Sequence, residues 1–183
     1  MLQDIAMYIL DIGNNSIRAD ASVINITFTE SVLHDRCTLI IKDDGCGMSD
    51  KQLEQVRDPF FTTRDTRKVG LGMSFLDQLA TQCNGELLID SKINEGTQMK
   101  LSYQKSHLDA PPVGDVASSL ITLIQANDKI DYLFRYELDH NSFVLDTITI
   151  KELLMDVSIS EPSIILWLKD YIDEGLLKLK EGL

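Results

Sequence analysis

Hydrophobic and polar residues recur along the first half of the chain with two different periods. From residue 2 to residue 21 the apolar positions follow helical spacing, so this stretch is predicted to be a helix. Residues 23–28 and 37–41 show instead the β-branched content and the alternation of strands. A polar turn at residues 33–36 separates them and predicts that the two strands pair as a hairpin.

The same patterns predict two more helices and two more strands. Ser49 is a candidate N-cap for a short helix over residues 50–57. A longer helix is predicted over residues 73–83, followed by strands over residues 86–91 and 97–103. This order of elements predicts an α+β two-layer sandwich, with a mixed sheet that carries helices on one face.

A second segment comes after a linker at residues 106–114, where Pro111 and Pro112 prevent a helix from continuing. The predicted domain boundaries are therefore 1–105 and 115–183. The later segment is predicted to be a small α/β appendage that binds a partner or dimerises. Its predicted elements are helices over 116–125, 148–156 and 161–175 and a hairpin over 131–145.

Charge and composition narrow the function classes. The 183 residues carry a formal net charge of −12, which argues against nucleic acid or an anionic membrane as a partner. Residues 107–183 hold 14 acidic against 6 basic residues, so a DNA-reading helix-turn-helix is disfavoured there. Three scattered cysteines fit a reducing compartment, and no apolar stretch is long enough to span a bilayer. A cytoplasmic protein is expected.

The first candidate for a functional site is the loop Asp43 to Met48, which directly follows an apolar strand. An Asp-Gly sequence in this position is most often a plain turn. One face of the predicted first helix, upstream of this loop, carries Asp11, Asn15 and Arg18. Taken by itself, this pattern predicts only a polar face exposed to solvent. Glycine-bearing segments that lead into helices can present backbone N–H groups to phosphate, although the P-loop spacing is missing.

In combination these segments resemble the GHKL superfamily of ATPases (gyrase, chaperone, histidine kinase, mismatch repair) over residues 2–104. Five boxes stand in the order of that family. They are Asp11-x-x-x-Asn15 (the N box), Asp43-x-Gly45-x-Gly47 (the first glycine box), Pro59-Phe60-Phe61-Thr62-Thr63-Arg64 (the F box of histidine kinases), Gly70-Leu71-Gly72-Met73 (the second glycine box) and Glu95-Gly96-Thr97 (the third).

The resemblance implies a Bergerat-type fold and a site for ATP and Mg²⁺. Asp43 would accept the adenine amino proton, and Asn15 would hold Mg²⁺ through its amide oxygen. Around adenine, the implied positions are Gly45, Gly47, Met48 and Thr97. Toward the phosphates, they are Arg18, Gly70, Gly72 and a basic lid that includes Arg64 and Lys68. Thr63 and Leu71 are the other implied cofactor-binding positions.

Asp11 is the candidate catalytic base, but it stands where ATPase members of the superfamily carry a glutamate. Because aspartate is one methylene shorter, slow hydrolysis is expected. The F box and Arg18 favour the histidine-kinase-like branch, so the resemblance implies a stand-alone, regulatory slow ATPase or protein kinase with a protein partner or phosphoacceptor. The alternative is a non-catalytic module whose lid presents a partner surface when ATP or ADP binds.

Overall fold

The computed structural model of the chain describes residues 4–56 and 71–182. Within these residues six strands form one sheet, in the order β3-β4-β2-β1-β5-β6. The strands are β1 (Val23–Ser31), β2 (Arg36–Asp43), β3 (Glu86–Lys92), β4 (Gly96–Gln104), β5 (Asp131–Leu138) and β6 (Asn141–Asp146). The helices are α1 (Ile5–Arg18), α2 (Asp50–Gln55), α3 (Leu71–Gln82), α4 (Val116–Ala126), α5 (Thr147–Leu154) and α6 (Pro162–Glu181).

The sheet is mixed, as the sequence predicts. β1 and β2 form the expected antiparallel hairpin, β3 pairs with β4, and β4 pairs with β2. β5 runs parallel to β1, with a register that extends from Val23 opposite Asp131 to Glu30 opposite Leu138. β5 and β6 form the hairpin predicted at residues 131–145, and this hairpin continues the same sheet. The domain boundary proposed at residues 106–114 stays a prediction.

Four helices form one layer on the sheet. α3 contacts α1, α1 contacts α4, and α4 contacts α6, so the four lie side by side. Beneath them alternate residues of the central strands are buried, including Ile24, Ile26 and Phe28 of β1. The opposite sheet face carries more exposed positions such as Lys42 and Lys100. The structure therefore confirms a two-layer sandwich with helices on one face.

α1 and α4 pack closely because α1 has a glycine at the contact. A Cβ on Gly13 would lie only 2.6 Å from Cδ1 of the buried Leu123. The linker also holds α1, since the backbone N–H groups of Ile5 and Ala6 donate to carbonyls of residues 112 and 113 at 3.0 and 2.9 Å. Residues beyond 106 thus support the helix that carries the N box.

The helix boundaries depend on local signals in the sequence. Ser49 caps α2 as predicted, in a reciprocal pair with Gln52. α3 ends at Gln82, and two residues later Asn84 has a φ of +53°, while the N–H of Gly85 donates back to the carbonyl of Ala80 at 2.8 Å. Among the helices of the described residues, none is both long enough and apolar enough to cross a membrane.

Candidate functional site

The centre of the candidate site is Asp43, the last residue of β2. Only 7% of Asp43 is exposed, and its Oδ2 accepts a hydrogen bond of 2.6 Å from the Ser16 hydroxyl of α1. Its Oδ1 accepts from the backbone N–H groups of Gly45 and Thr97 at 3.1 and 3.2 Å. A carboxylate offers about four acceptor positions. The described residues thus supply three donors, which leaves one acceptor position for a donor from elsewhere.

The loop after Asp43 is fixed from three directions. Oδ1 of Asp44 accepts from the backbone N–H groups of residues 22 and 23, at 2.7 and 2.8 Å. The N–H of Cys46 donates to the carbonyl of Ala19, and the carbonyl of Cys46 accepts from the N–H of Asn94, both at 2.8 Å. The loop is therefore held by the end of α1, the start of β1 and the β3–β4 turn.

The two glycines of this loop lie against the protein's own backbone. A Cβ on Gly45 would be 2.7 Å from the carbonyl oxygen of Ala19. Gly47 has a φ of +64°, and a Cβ there would be 2.0 Å from the carbonyl oxygen of Lys92. Close backbone packing therefore explains both glycines, and their predicted contact with a purine stays a prediction.

Ser91 of β3 links the loop to the start of β4. Its Oγ accepts from the N–H of Met48 at 2.9 Å and lies 2.9 Å from the carbonyl oxygen of Gly96. The same Oγ is 2.8 Å from Oγ1 of Thr97. Met48 and Thr97 are both half-buried, so their side chains adjoin the site without being sealed in the core.

α1, whose Ser16 contacts Asp43, also carries the polar residues predicted for the site, and Asn15 directly precedes Ser16. Asp11 and Asn15 are half-buried, and Nη1 of the exposed Arg18 donates weakly to Oδ1 of Asn15 at 3.4 Å. Across residues 4–56 and 71–182 no three His, Cys, Asp or Glu side chains form a metal-binding group. Mg²⁺ often uses one or two protein oxygens together with substrate phosphates and water, so Asn15 fits that kind of site.

α3 points its first turn toward the same end of the sheet. Its C-terminal end lies near the end of β4, because the N–H of Gln104 donates to the carbonyl of Cys83 at 2.8 Å. The 12 residues of α3 span about 18 Å, and the helix packs on β3 and β4. Its N-terminus, at Leu71 and Gly72, is therefore directed toward the end of the sheet where Thr97 lies. Free N–H groups at a helix start favour phosphate.

The described structure thus brings together Asn15, Arg18, Asp43, Gly45, Gly47, Met48 and Thr97. Thr63, Arg64, Lys68 and Gly70, with the whole F box, lie outside the described residues. Sequence reasoning missed three residues that build the site, namely Ser16, Asp44 and Ser91. Ser16 shares the apolar face of the first helix, and a hydroxyl on such a face is the signal that a buried polar partner exists.

The loop also carries a reactive group, which gives a first test of the geometry. Cys46 is exposed, whereas Cys37 and Cys83 are buried. Burial raises the pKa of Cys37 to about 11 and also raises the pKa of Cys83. At pH 8 roughly one part in a thousand of Cys37 would be thiolate, the form that reacts.

We expect the folded protein to release one equivalent of chromophore rapidly from the thiol reagent DTNB at pH 8, and a Cys46→Ser variant to release almost none in the same time. All three cysteines should react once guanidinium has unfolded the chain. Rapid reaction of two or three thiols in the folded protein would contradict the burial of Cys37 and Cys83.

The protein is thus a two-layer α+β sandwich with a buried carboxylate acceptor at one end of its sheet. The chain itself belongs to the family described as histidine kinase-, DNA gyrase B-, and HSP90-like ATPases, whose profile matches residues 3–107, more than half of the chain. It therefore carries an ATP-binding domain of the GHKL type, as the sequence predicts.

Curated relatives match within that segment. Sporulation kinase E of Bacillus subtilis is 30% identical over 89 residues, which cover 48% of this chain and 12% of the kinase. Sensor protein DegM of a Bacillus species is 31% identical over 94 residues, covering 51% of this chain and 25% of DegM. The chain thus corresponds to a quarter or less of the length of these two relatives.

Solved structures share the fold over a longer stretch. The N-terminal domain of a DNA repair protein superimposes with a TM-score of 0.57 at 15% identity, covering 79% of this chain and 53% of that domain. The Aquifex aeolicus MutL ATPase domain complexed with ADP gives a TM-score of 0.50 at 11% identity, covering 84% of this chain and 70% of that one. The likeness in fold therefore extends beyond residue 107.

Proposed function

We propose that this protein binds ATP together with Mg²⁺ and acts as a regulatory, slow ATPase or protein kinase of the histidine-kinase-like type. The observation that carries the proposal is the acceptor at Asp43, which is buried and accepts from three donors of the described residues, so that one of its about four acceptor positions is available to a ligand. The exocyclic amino group of adenine is a donor of the kind that such an acceptor selects.

The rest of the nucleotide is assigned to the elements beside Asp43. The adenine ring would pack on Met48 and complete its hydrogen bonds with Thr97. Asn15 would hold Mg²⁺, which would supply positive charge to the phosphates. Arg18 and the first N–H groups of α3 would contact the phosphates, since both present positive charge or partial charge at this end of the sheet.

Asp11 determines the fate of bound ATP. It lies on the same helix face as Asn15 and is half-buried, so it is the candidate base for an attacking water. Its reach is one methylene shorter than that of glutamate, so hydrolysis is proposed to be slow. A phosphoryl transfer to an acceptor side chain on a partner protein needs no such water, which makes a kinase activity compatible with Asp11.

Calorimetry with and without Mg²⁺ tests the proposal, using two neighbouring amides of α1. We expect ATP to bind in the presence of Mg²⁺, and Asn15→Ala to weaken binding about tenfold, because a metal ligand is lost. The matched control is Asn14→Ala, since Nδ2 of Asn14 donates to the carbonyl of Leu10 within the same helix at 2.8 Å. If the parent and Asn15→Ala bind ATP equally well at saturating Mg²⁺, Asn15 is not a metal ligand.

A second candidate function is a nucleotide-gated binding module that does not turn ATP over, and the observation in its favour is Asp11 in place of glutamate. Release or transfer of labelled phosphate, absent in Asn15→Ala, supports the enzyme. Tight ATP binding without turnover, together with nucleotide-dependent protection of residues 58–70 from protease, supports the module. Equal cleavage with and without ATP would rule out a lid-based switch.

A further inference from the structure

α6 carries large apolar side chains on the side that faces away from the core. Its inner face buries Ile165, Leu168, Ile172 and Leu179. Its outer positions include Leu166, Trp167, Tyr171 and Leu177, which are 67%, 51%, 42% and 57% exposed. A helix on the surface of a globular protein normally presents polar residues there, and an exposed apolar set marks an interaction surface. These four outer residues together form the α6 surface.

The aromatic residues of the α6 surface are held in place by the core. The rings of Trp167 and Tyr171 are stacked, with centroids 5.4 Å apart and planes inclined by 16°. Tyr171 in turn lies 5.5 Å from Phe143 of β6, a buried residue. Gly175 allows this approach, because a Cβ there would be 2.1 Å from Cε2 of Phe143. Rigid, supported tryptophan and tyrosine side chains are typical of binding hot spots.

Charge identifies what could cover the α6 surface. Residues 147–182 contain seven acidic and four basic residues. Three of those lysines already contact carboxylates of the chain: Lys151 contacts Asp131 and Lys169 contacts Asp173, both at 2.7 Å, and Lys178 contacts Glu174 at 3.5 Å. Of the remaining carboxylates, Asp170 lies between Trp167 and Tyr171 along α6, and Glu161 directly precedes the helix. A second copy of the chain, with a net charge of −12, would bring more negative charge to this place.

We propose that the α6 surface docks a basic, amphipathic helix of a partner protein. The four apolar positions span 12 residues of α6, which is about three helical turns, so a helix laid along them can bury all four. Lysine or arginine residues beside its apolar stripe would meet acidic side chains of α6 such as Asp170. The proposal is independent of the nucleotide site, since none of these residues contributes to it.

The single tryptophan of the chain makes docking directly visible, because it is Trp167. The probe is a synthetic amphipathic Leu/Lys helix, with a Leu/Glu helix of the same pattern as its counterpart. We expect the Leu/Lys peptide to shift Trp167 emission to the blue and to reduce its quenching by acrylamide. The Leu/Glu peptide should change neither signal, and high salt should weaken the Leu/Lys complex.

Two double leucine variants distinguish binding at the α6 surface from non-specific hydrophobic binding. The double variant Leu166→Ser with Leu177→Ser should weaken binding of the Leu/Lys peptide about tenfold, because two leucines that the complex would bury are lost. Leu88→Ser with Leu108→Ser removes two leucines that are exposed elsewhere and should leave its affinity unchanged. Both double variants should keep ATP binding, since all four leucines are exposed.

Three outcomes would overturn the proposal: equal binding of the two peptides, equal weakening by the two double variants, or no change in Trp167 emission with either peptide. A change in emission with protein concentration alone would assign the α6 surface to a second copy of the chain instead. Failure of ATP binding in the parent protein would count only against the proposed function.

Discussion

Replacement of Gly96 by alanine is expected to lower the free energy of unfolding by about 3 kcal/mol. Gly96 begins β4 with a φ of +94°, where an L-residue with a Cβ is strained by about 1–2 kcal/mol. The new Cβ would also lie 2.0 Å from the carbonyl oxygen of Asp43 and 2.8 Å from Cα of Asp44. Both atoms belong to backbone, so neither can turn away as a side chain would.

Chemical denaturation of the parent and of Gly96→Ala measures this loss from the shift in midpoint. The control is Gly182→Ala, because Gly182 has a φ of −78° and the nearest atom to its Cβ would be Nδ2 of Asn141 at 3.4 Å. That variant should stay within about 0.5 kcal/mol of the parent. A Gly96→Ala protein as stable as Gly182→Ala would show that the β4 start and the Asp43 loop are not packed as described.

The sequence predicts those elements whose signals are local. β1 and β2 alternate cleanly and are joined by a short polar turn, so neighbouring residues determine both the strands and their pairing. Ser49 and Asn84 mark helix ends through side-chain capping and a positive φ, which also depend on only a few residues. The end of the last helix is less well predicted, since α6 continues to Glu181 beyond the expected residue 175.

Local signals do not predict which strands pair when they are far apart in the sequence. The alternation within 131–138 indicates that one side of a strand is buried, but it does not tell which strand lies beside it. The parallel pairing of β5 with β1 joins residues more than 100 positions apart and depends on α4 packing over α1. The close contact there depends on Gly13, for which the sequence allows either close packing or a nearby ligand, and the structure shows close packing against Leu123.

The same distinction holds in the candidate site. Asp43 and the glycines can be found because their order along the chain resembles a known set of boxes. Ser16, Asp44 and Ser91 belong to no box, and their roles come from partners that are far away in sequence, such as Ser16 with Asp43 at 27 positions. The resemblance explains Gly45 and Gly47 by close contact with the bound base. The structure explains both by close contact with the protein's own backbone.

Replacement of Asp43 by asparagine is expected to weaken ATP binding about 100-fold, because a hydrogen bond to a charged group contributes about 1.5–3 kcal/mol. The orientation of the new amide is determined by its neighbours. Its Oδ1 must accept from the N–H groups of Gly45 and Thr97, since the reverse orientation would leave these two backbone donors facing an NH₂ group. The NH₂ group then takes the place of Oδ2, beside Ser16, and offers donors where adenine also offers a donor.

This inversion distinguishes loss of recognition from loss of folding. The NH₂ group of Asp43→Asn can pair with a 6-oxo purine, so the preference for ATP over GTP should shrink or reverse while ATP binding falls. The matched control is Asp44→Asn, which removes the same charge one residue away and can still accept from residues 22 and 23 through its amide oxygen. Its ATP affinity should stay within about twofold of the parent, because no ligand contact is lost. Calorimetry of the three proteins with both nucleotides measures these six affinities. Asp43→Asn with unchanged ATP affinity and unchanged preference would mean that Asp43 does not contact the base.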